Sequence, residues 1–212
     1  MRRREHQMEI FIDDDPVTDV LADTGTIEEA VIRVQKGYCE PGHVVVSLRC
    51  DGLEVGPGEM EATLSRSTRQ CRRLEIYTGS QAGLVADAMK QAAIALNDAA
   101  SRHHQVVELL SAGRIPEGIA ELARSLDIWK GVHDAIGQSV LMLGIVPDDI
   151  MLDGQTLSEI IVEPKELLLN VKSALQSHDY VLLADILQYE FDVVIARWQA
   201  IIAEILRRAE EA

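Results

Sequence analysis

The hydrophobic period of the chain changes near Gly79-Ser80, and that change constrains the fold more than any other feature. Before it, apolar residues alternate with polar ones in short runs broken by Gly, Pro and Asp; after it, they recur every three or four residues. A period of two belongs to strands with one covered face, and a period near 3.6 to helices with one apolar stripe. The chain therefore reads as α+β, with a small module over residues 1–78 followed by an antiparallel four-helix bundle over residues 79–212.

In the first part, Met8, Ile10 and Ile12 alternate with polar neighbours, as do Val44, Val46 and Leu48, and Leu74 and Ile76. Asp14-Asp15-Pro16 is expected to turn the first strand into a second at about 17–22. Asp51-Gly52 is a short-hairpin signal. Between the strand pairs, Thr26 and Glu29 are spaced as a capping box, in which each side chain satisfies a backbone N–H of the other residue. Ile27, Ala30, Val31, Val34 and Tyr38 continue from it as one helical stripe, and Pro41-Gly42 ends it. The order strand, strand, helix, strand, short element, strand resembles the β-grasp (ubiquitin-like) fold. The resemblance implies a protein-binding or scaffold module. Ubiquitin-like modifiers end in a free Gly-Gly, whereas this module runs on through Thr78-Gly79-Ser80 into a helix, so conjugation is not expected.

In the second part, Val85, Met89, Ala92, Leu96, Ala99, His103, Val106 and Leu110 step by four and three from an N-cap at Ser80. Gly113 closes that helix and Pro116 opens the next. There, Ile119, Leu122, Leu126, Trp129, His133, Ile136, Val140 and Leu143 repeat the spacing, until Gly144 and Pro147 break it. A shorter helix is expected from Pro164 to Gln176, preceded by a turn at Thr156–Ile161, and a last one from Tyr180 to Arg208. The last helix has a wide apolar arc, which Phe191, Ile195, Trp198 and Ile202 extend. Such an arc exceeds what one bundle seam requires and points to a contact, so these four residues are the expected interface of a homodimer. The competing reading makes this the bundle's central helix.

Charge narrows the partners. The net charge is −15, with ten basic against fifteen acidic side chains before residue 79 and ten against twenty after it. That field repels phosphate backbones, so no nucleic-acid partner is expected and a basic or amphipathic protein is favoured. Arg66, Arg69, Arg72 and Arg73 are the only dense basic cluster and read as a solvated loop. Three cysteines, Cys39, Cys50 and Cys71, match neither a disulfide framework nor a CxxC metal site, which suggests reduced thiols and a cytoplasmic location. Met1-Arg2-Arg3-Arg4 resembles the start of a signal peptide, but Glu5, His6, Gln7 and Glu9 interrupt the apolar run that such a peptide needs next. No stretch approaches the ~18 apolar residues of a membrane span, so no membrane partner is expected.

Two constellations could carry chemistry. His103, His133 and Glu190 fall on the apolar stripes of three helices, and two histidines with a carboxylate can hold zinc with one position open. Arg197 shares the azimuth of Glu190, and His104 with Glu108 adds an i, i+4 pair at the stripe's edge. The simpler reading is that the histidines pack through their rings and one bond satisfies each, so no metal or other cofactor is expected. The second constellation is Phe11-Ile12-Asp13-Asp14-Asp15-Pro16-Val17, which resembles the nucleophile motif of haloacid-dehalogenase-like phosphatases. The resemblance implies Asp13 as nucleophile, Asp15 as general acid, Asp148-Asp149 as a magnesium pair and Lys130 as the family's lysine. That family needs alternating strands and helices, and residues 80–143 carry no strand, so an acidic turn is the preferred reading. The sequence as a whole reads as a non-enzymatic interaction or assembly protein, adaptor or chaperone-like. A metal-dependent enzyme is the alternative.

Overall fold

A computed structural model of the chain describes residues 8–17 and 25–212. The chain divides at Gln81/Ala82 into two compact units, each with its own apolar core. The fold class is α+β, as the change of period requires.

The first unit carries a five-stranded sheet: β1 (Glu9–Ile12), β2 (Asp15–Val17), β3 (His43–Cys50), β4 (Leu53–Glu54) and β5 (Arg73–Ser80). Their order across the sheet is β2-β1-β5-β3-β4. β1 and β5 are parallel, and β3 runs antiparallel to β5. This register aligns Ile10 with Leu74, Ile12 with Ile76, and Leu48 with Ile76. The side chains of Ile10, Leu48, Leu74 and Ile76 are buried in one core with those of helix α1 (Ile27–Gly37). The capping box forms: the Glu29 N–H donates to Thr26 Oγ1 (3.2 Å) and the Thr26 N–H to Glu29 Oε2 (3.3 Å). A short helix α2 (Met60–Leu64) precedes β5.

Two aspartates fasten the turns. Asp13 has φ 48° and accepts from the Thr78 N–H (2.8 Å) and hydroxyl (2.6 Å). Asp51 and Gly52 both take positive φ, as a tight hairpin requires, and Asp51 Oδ1 accepts from the N–H groups of Arg72 and Arg73. The second strand is described over Asp15–Val17, where the turn is expected, and residues 18–22 of its expected span lie outside the described residues. The alternation in β3 also slips. A bulge between Val45 and Ser47 leaves Val46 exposed while Leu48 stays buried.

The second unit is helical. α3 (Gln81–Ser111) and α4 (Ile115–Met142) are joined by three residues. Their contacts run in opposite senses: Arg102 pairs with Glu121, and the Ser125 hydroxyl donates to the Ala99 carbonyl. The two helices are therefore antiparallel. A small β6–β7 hairpin (Met151–Leu152, Gln155–Thr156) leads into α5 (Leu157–Val162) and α6 (Pro164–Gln176). The chain then turns into α7 (Tyr180–Asp185), a five-residue π turn at Ile186–Glu190, and α8 (Phe191–Glu210). α3, α4 and α6 lie where the spacing puts them, and the expected last helix is divided into α7, the π turn and α8. α5 is an addition, forming where a turn is expected because Thr156 and Glu159 make a second capping box.

The buried face of α4 is rotated from the expected stripe. Gly118, Glu121, Ser125, Val132 and Ser139 are buried, while Ile119 and His133 are exposed. Close approach to α3 explains the rotation. A Cβ on Gly118 would lie only 3.0 Å from Leu110 Cδ2, and the small side chains at 125 and 139 continue that tight seam. Glu121 is tolerated there because Arg124 and Arg102 both bond its carboxylate. These guanidiniums, Arg124 first, hold its carboxyl below the usual range.

The core of the helical unit is contiguous from Val85 to Ala209, so the unit meets the main condition for folding alone. Residues 82–212 expressed by themselves are expected to be soluble and to melt in one cooperative helical transition by circular dichroism. A molten or aggregated fragment would show that this core needs the sheet.

Candidate functional site

The three residues that form the candidate metal set separate once the helices pack. His103 on α3 is 1% exposed. It stacks on Trp129 of α4 (centroids 6.4 Å apart, planes 8°) and meets the edge of Phe191 of α8 at 4.5 Å. Trp129 contacts Trp198 at 4.9 Å. His133 is not a core residue: its side chain is half exposed, and its ring lies 6.0 Å from that of Trp198. Glu190 closes the π turn and is exposed. Arg197 pairs instead with Glu163. The only His, Cys, Asp and Glu side chains whose ligand atoms converge among the described residues are Cys50, Asp51 and Cys71. The His103, His133 and Glu190 set is therefore corrected to one aromatic core residue and two surface residues.

The expected interface is corrected too. Phe191, Ile195, Trp198 and Ile202 are all buried in the unit's own core, so they cannot supply a contact to another subunit. The wide apolar arc is that of a central helix.

Burial gives His103 a second property. Neither ring nitrogen has a hydrogen-bond partner among the described residues, and the indole nitrogens of Trp129 and Trp198 share that condition. Desolvation, then the neighbouring His104, lowers its pKa from 6.5 to about 4. The folded state thus refuses a proton that the unfolded chain accepts between those values. Stability is complete above pH 6.5 and falls as pH drops toward 4, by about 3 kcal/mol from this residue. His103→Leu is expected to remove that part of the acid sensitivity, as measured by urea unfolding at neutral pH and near pH 4.5. An unchanged pH dependence would mean that His103 is not held neutral.

The acidic turn of the first unit is engaged within the sheet. Both carboxylate oxygens of Asp13 are engaged by Thr78, and Asp15 is an exposed strand residue. Lys130 and Asp148-Asp149 belong to the other unit. The cysteines also depart from expectation. Cys50 and Cys71 are joined in a disulfide, with Cα atoms 6.1 Å apart, and Cys39 is free. A separation of 21 residues hides the pairing in the sequence, but the β3–β5 register brings the two together by setting Cys50 opposite Leu74. The thiol argument for a cytoplasmic location falls with it. Closing a loop of this size is worth about 3 kcal/mol. Reduction is expected to lower the stability of the first unit by about that amount and leave the helical unit unchanged. Equal unfolding midpoints with and without reductant would contradict this.

An open apolar site lies on α6. A groove of about 500 Å³ runs between that helix, the end of α5 and His133 of α4. Leu168 and Leu169 form its apolar wall with Val162, which is 63% exposed. Lys165 and Lys172 border it, and no carboxylate lines it. Neither lysine has an ion-pair partner among the described residues. The local chemistry explains the arrangement. α6 buries Pro164, Leu167, Val171 and Ala174, and three consecutive leucines, 167 to 169, cannot all face one core. Leu168 and Leu169 are left outward, flanked three residues away on each side by a lysine. That run is the signal in the sequence that the heptad reading passes over. A second cleft, of about 390 Å³, lies on the other flank of α6 between Glu163, Glu166, Tyr189 and Glu190. Among the described residues, no helix is long and apolar enough to cross a membrane.

Residues 87–201 match the model of a protein family described as Domain of unknown function (DUF8042). The match begins in α3 and ends in α8, so it includes the whole groove. No curated protein and no solved structure matches the chain.

Proposed function

The chain belongs to the DUF8042 family, and from its own residues we propose that it is a non-enzymatic interaction or assembly protein, whose helical unit receives an amphipathic helix in the groove along α6. One observation carries this reading: an apolar wall left in solvent, bordered by two unpaired lysines in a chain of net charge −15. Apolar surface of that kind, rimmed by charge, is how grooves receive helices. Lys165 and Lys172 lie seven residues apart, which is about 10 Å along a helix. The complementary partner presents apolar residues at helical spacing and carboxylates about two turns apart. The amphipathic part of the expected partner is retained, and its polar part becomes acidic rather than basic at this site.

The first unit supports the same class of function. Its strand order, with parallel β1 and β5 at the centre, supports the β-grasp-like reading. Its wet face sets Arg73 over the Phe11 ring at 3.9 Å and Arg49 over Tyr77 at 5.3 Å. Arginine and aromatic residues of this kind are enriched where proteins meet. Among the described residues, the histidines and carboxylates of the enzyme alternative do not converge.

A labelled synthetic helix bearing leucines at i, i+4 and i+7 spacing, with two glutamates seven residues apart, tests the groove by fluorescence anisotropy. It is expected to bind at least about tenfold tighter than the same peptide with lysines in place of the glutamates. Leu168→Ala with Leu169→Ala is expected to abolish binding. Equal affinity for both peptides, or binding that survives the double variant, would contradict the assignment.

A further inference from the structure

We infer that the helix received by the α6 groove is supplied by a second copy of this chain, from the segment Val181–Val193, so that two copies form a symmetric dimer by reciprocal exchange. The inference rests on the groove reading above and names its occupant.

The segment is the apolar counterpart of the groove. Val181 is 75% exposed, Tyr189 64% and Val193 52%. With exposed Asp185 they recur at intervals of four. An ordinary α-helix drifts by about 40° over each step of four residues. The π turn at Ile186–Glu190 offsets part of that drift, because its wider turn takes more residues to come round. The four side chains are thereby brought toward one outward stripe, and Phe191 is turned inward, 1% exposed.

Charge selects the occupant. Between Tyr180 and Val193 the chain has no basic residue, and Asp185, Glu190 and Asp192 are exposed. Lys165 and Lys172 border a groove that no carboxylate lines. Each surface thus carries the unpaired charges that the other lacks. Two chains of −15 repel at long range, but screening confines that repulsion to about 8 Å at physiological salt, within which the lysines of each groove meet the carboxylates of the other copy's segment. The groove and the donor segment both lie on the helical unit, so each copy can give and receive once. This satisfies the two-fold rule that if residue i meets j, then j meets i. The dimer expected from sequence therefore returns with different residues, Phe191, Ile195, Trp198 and Ile202 having gone to the core.

Charge exchange with light scattering on the full chain tests this. The unaltered chain is expected to be a dimer at high micromolar concentration. Lys165→Asp with Lys172→Asp sets aspartate against aspartate, and Asp185→Lys with Asp192→Lys sets lysine against lysine. Each double variant alone is expected to be monomeric. Mixed in equal amounts they are expected to form a heterodimer, because both reciprocal contacts regain opposite charges. If either exchange lowers helicity, Tyr189→Ala removes exposed donor surface without altering charge and is expected to weaken the dimer in the same assay. A monomeric unaltered chain would overturn the inference, as would variants that dimerise undiminished or a mixture that stays monomeric. An unaltered monomer that still binds the acidic peptide would leave the groove as a site for another protein. An unaltered monomer that binds neither would remove both readings.

Discussion

The π turn at Ile186–Glu190 sets the phase of the C-terminal helix, and the helical unit depends on that phase. Buried residues run 183, 187, 191, then 194, 198, 201 and 205. The two successive steps of four are where an extra residue enters the repeat. Past that point Phe191 and Trp198 turn toward Trp129 and His103, building the aromatic centre on which α3, α4 and α8 converge. The same rotation carries Tyr189 and Glu190 outward. One local irregularity therefore separates core from surface along the C-terminal helix.

Two buried polar groups show different answers to the same cost. Glu121 keeps its charge at the α3–α4 seam because two guanidiniums reach it, one from each helix. His103 has no such partner and gives up its charge, surrounded by rings that accept its shape but none of its hydrogen bonds. The first arrangement holds the register of two helices, and the second leaves a residue that resists protonation until acid forces the core open. In the sheet unit, aspartates do the fastening. Asp13 and Asp51 each close a turn onto β5, so the acidic motif that could pass for catalytic chemistry is spent on backbone and hydroxyl bonds.

The fold class was legible because period is a direct consequence of which face is covered. The capping box at Thr26 and Glu29, the hairpin at Asp51-Gly52 and the α3 stripe from Val85 to Leu110 follow from local chemistry, and they stand where the sequence puts them. The site was not legible by the same means. A heptad template assumes constant phase, so it placed Glu190 inside the bundle and could not foresee the π turn. The template also favours apolar residues, so at α4 it selected Ile119 and His133 where close helix approach selects Gly118, Ser125 and Val132. The disulfide depends on strand register across 21 residues, which spacing alone does not encode. The groove had a visible mark, the Leu167-Leu168-Leu169 run, whose excess of apolar surface is understood once the buried face of α6 is known.

If the α6 groove and the outward stripe beside the π turn are the working surfaces of this protein, they must lose solvent together when copies meet. Backbone amide exchange of the full chain, followed from low to high concentration, tests that most directly, since only surfaces that associate gain protection by mass action. Protection is expected to rise together in residues 164–176 and 181–193 while α3 and α4 stay unchanged. Protection that is independent of concentration in both segments, or that rises only elsewhere, would contradict the assignment of these surfaces.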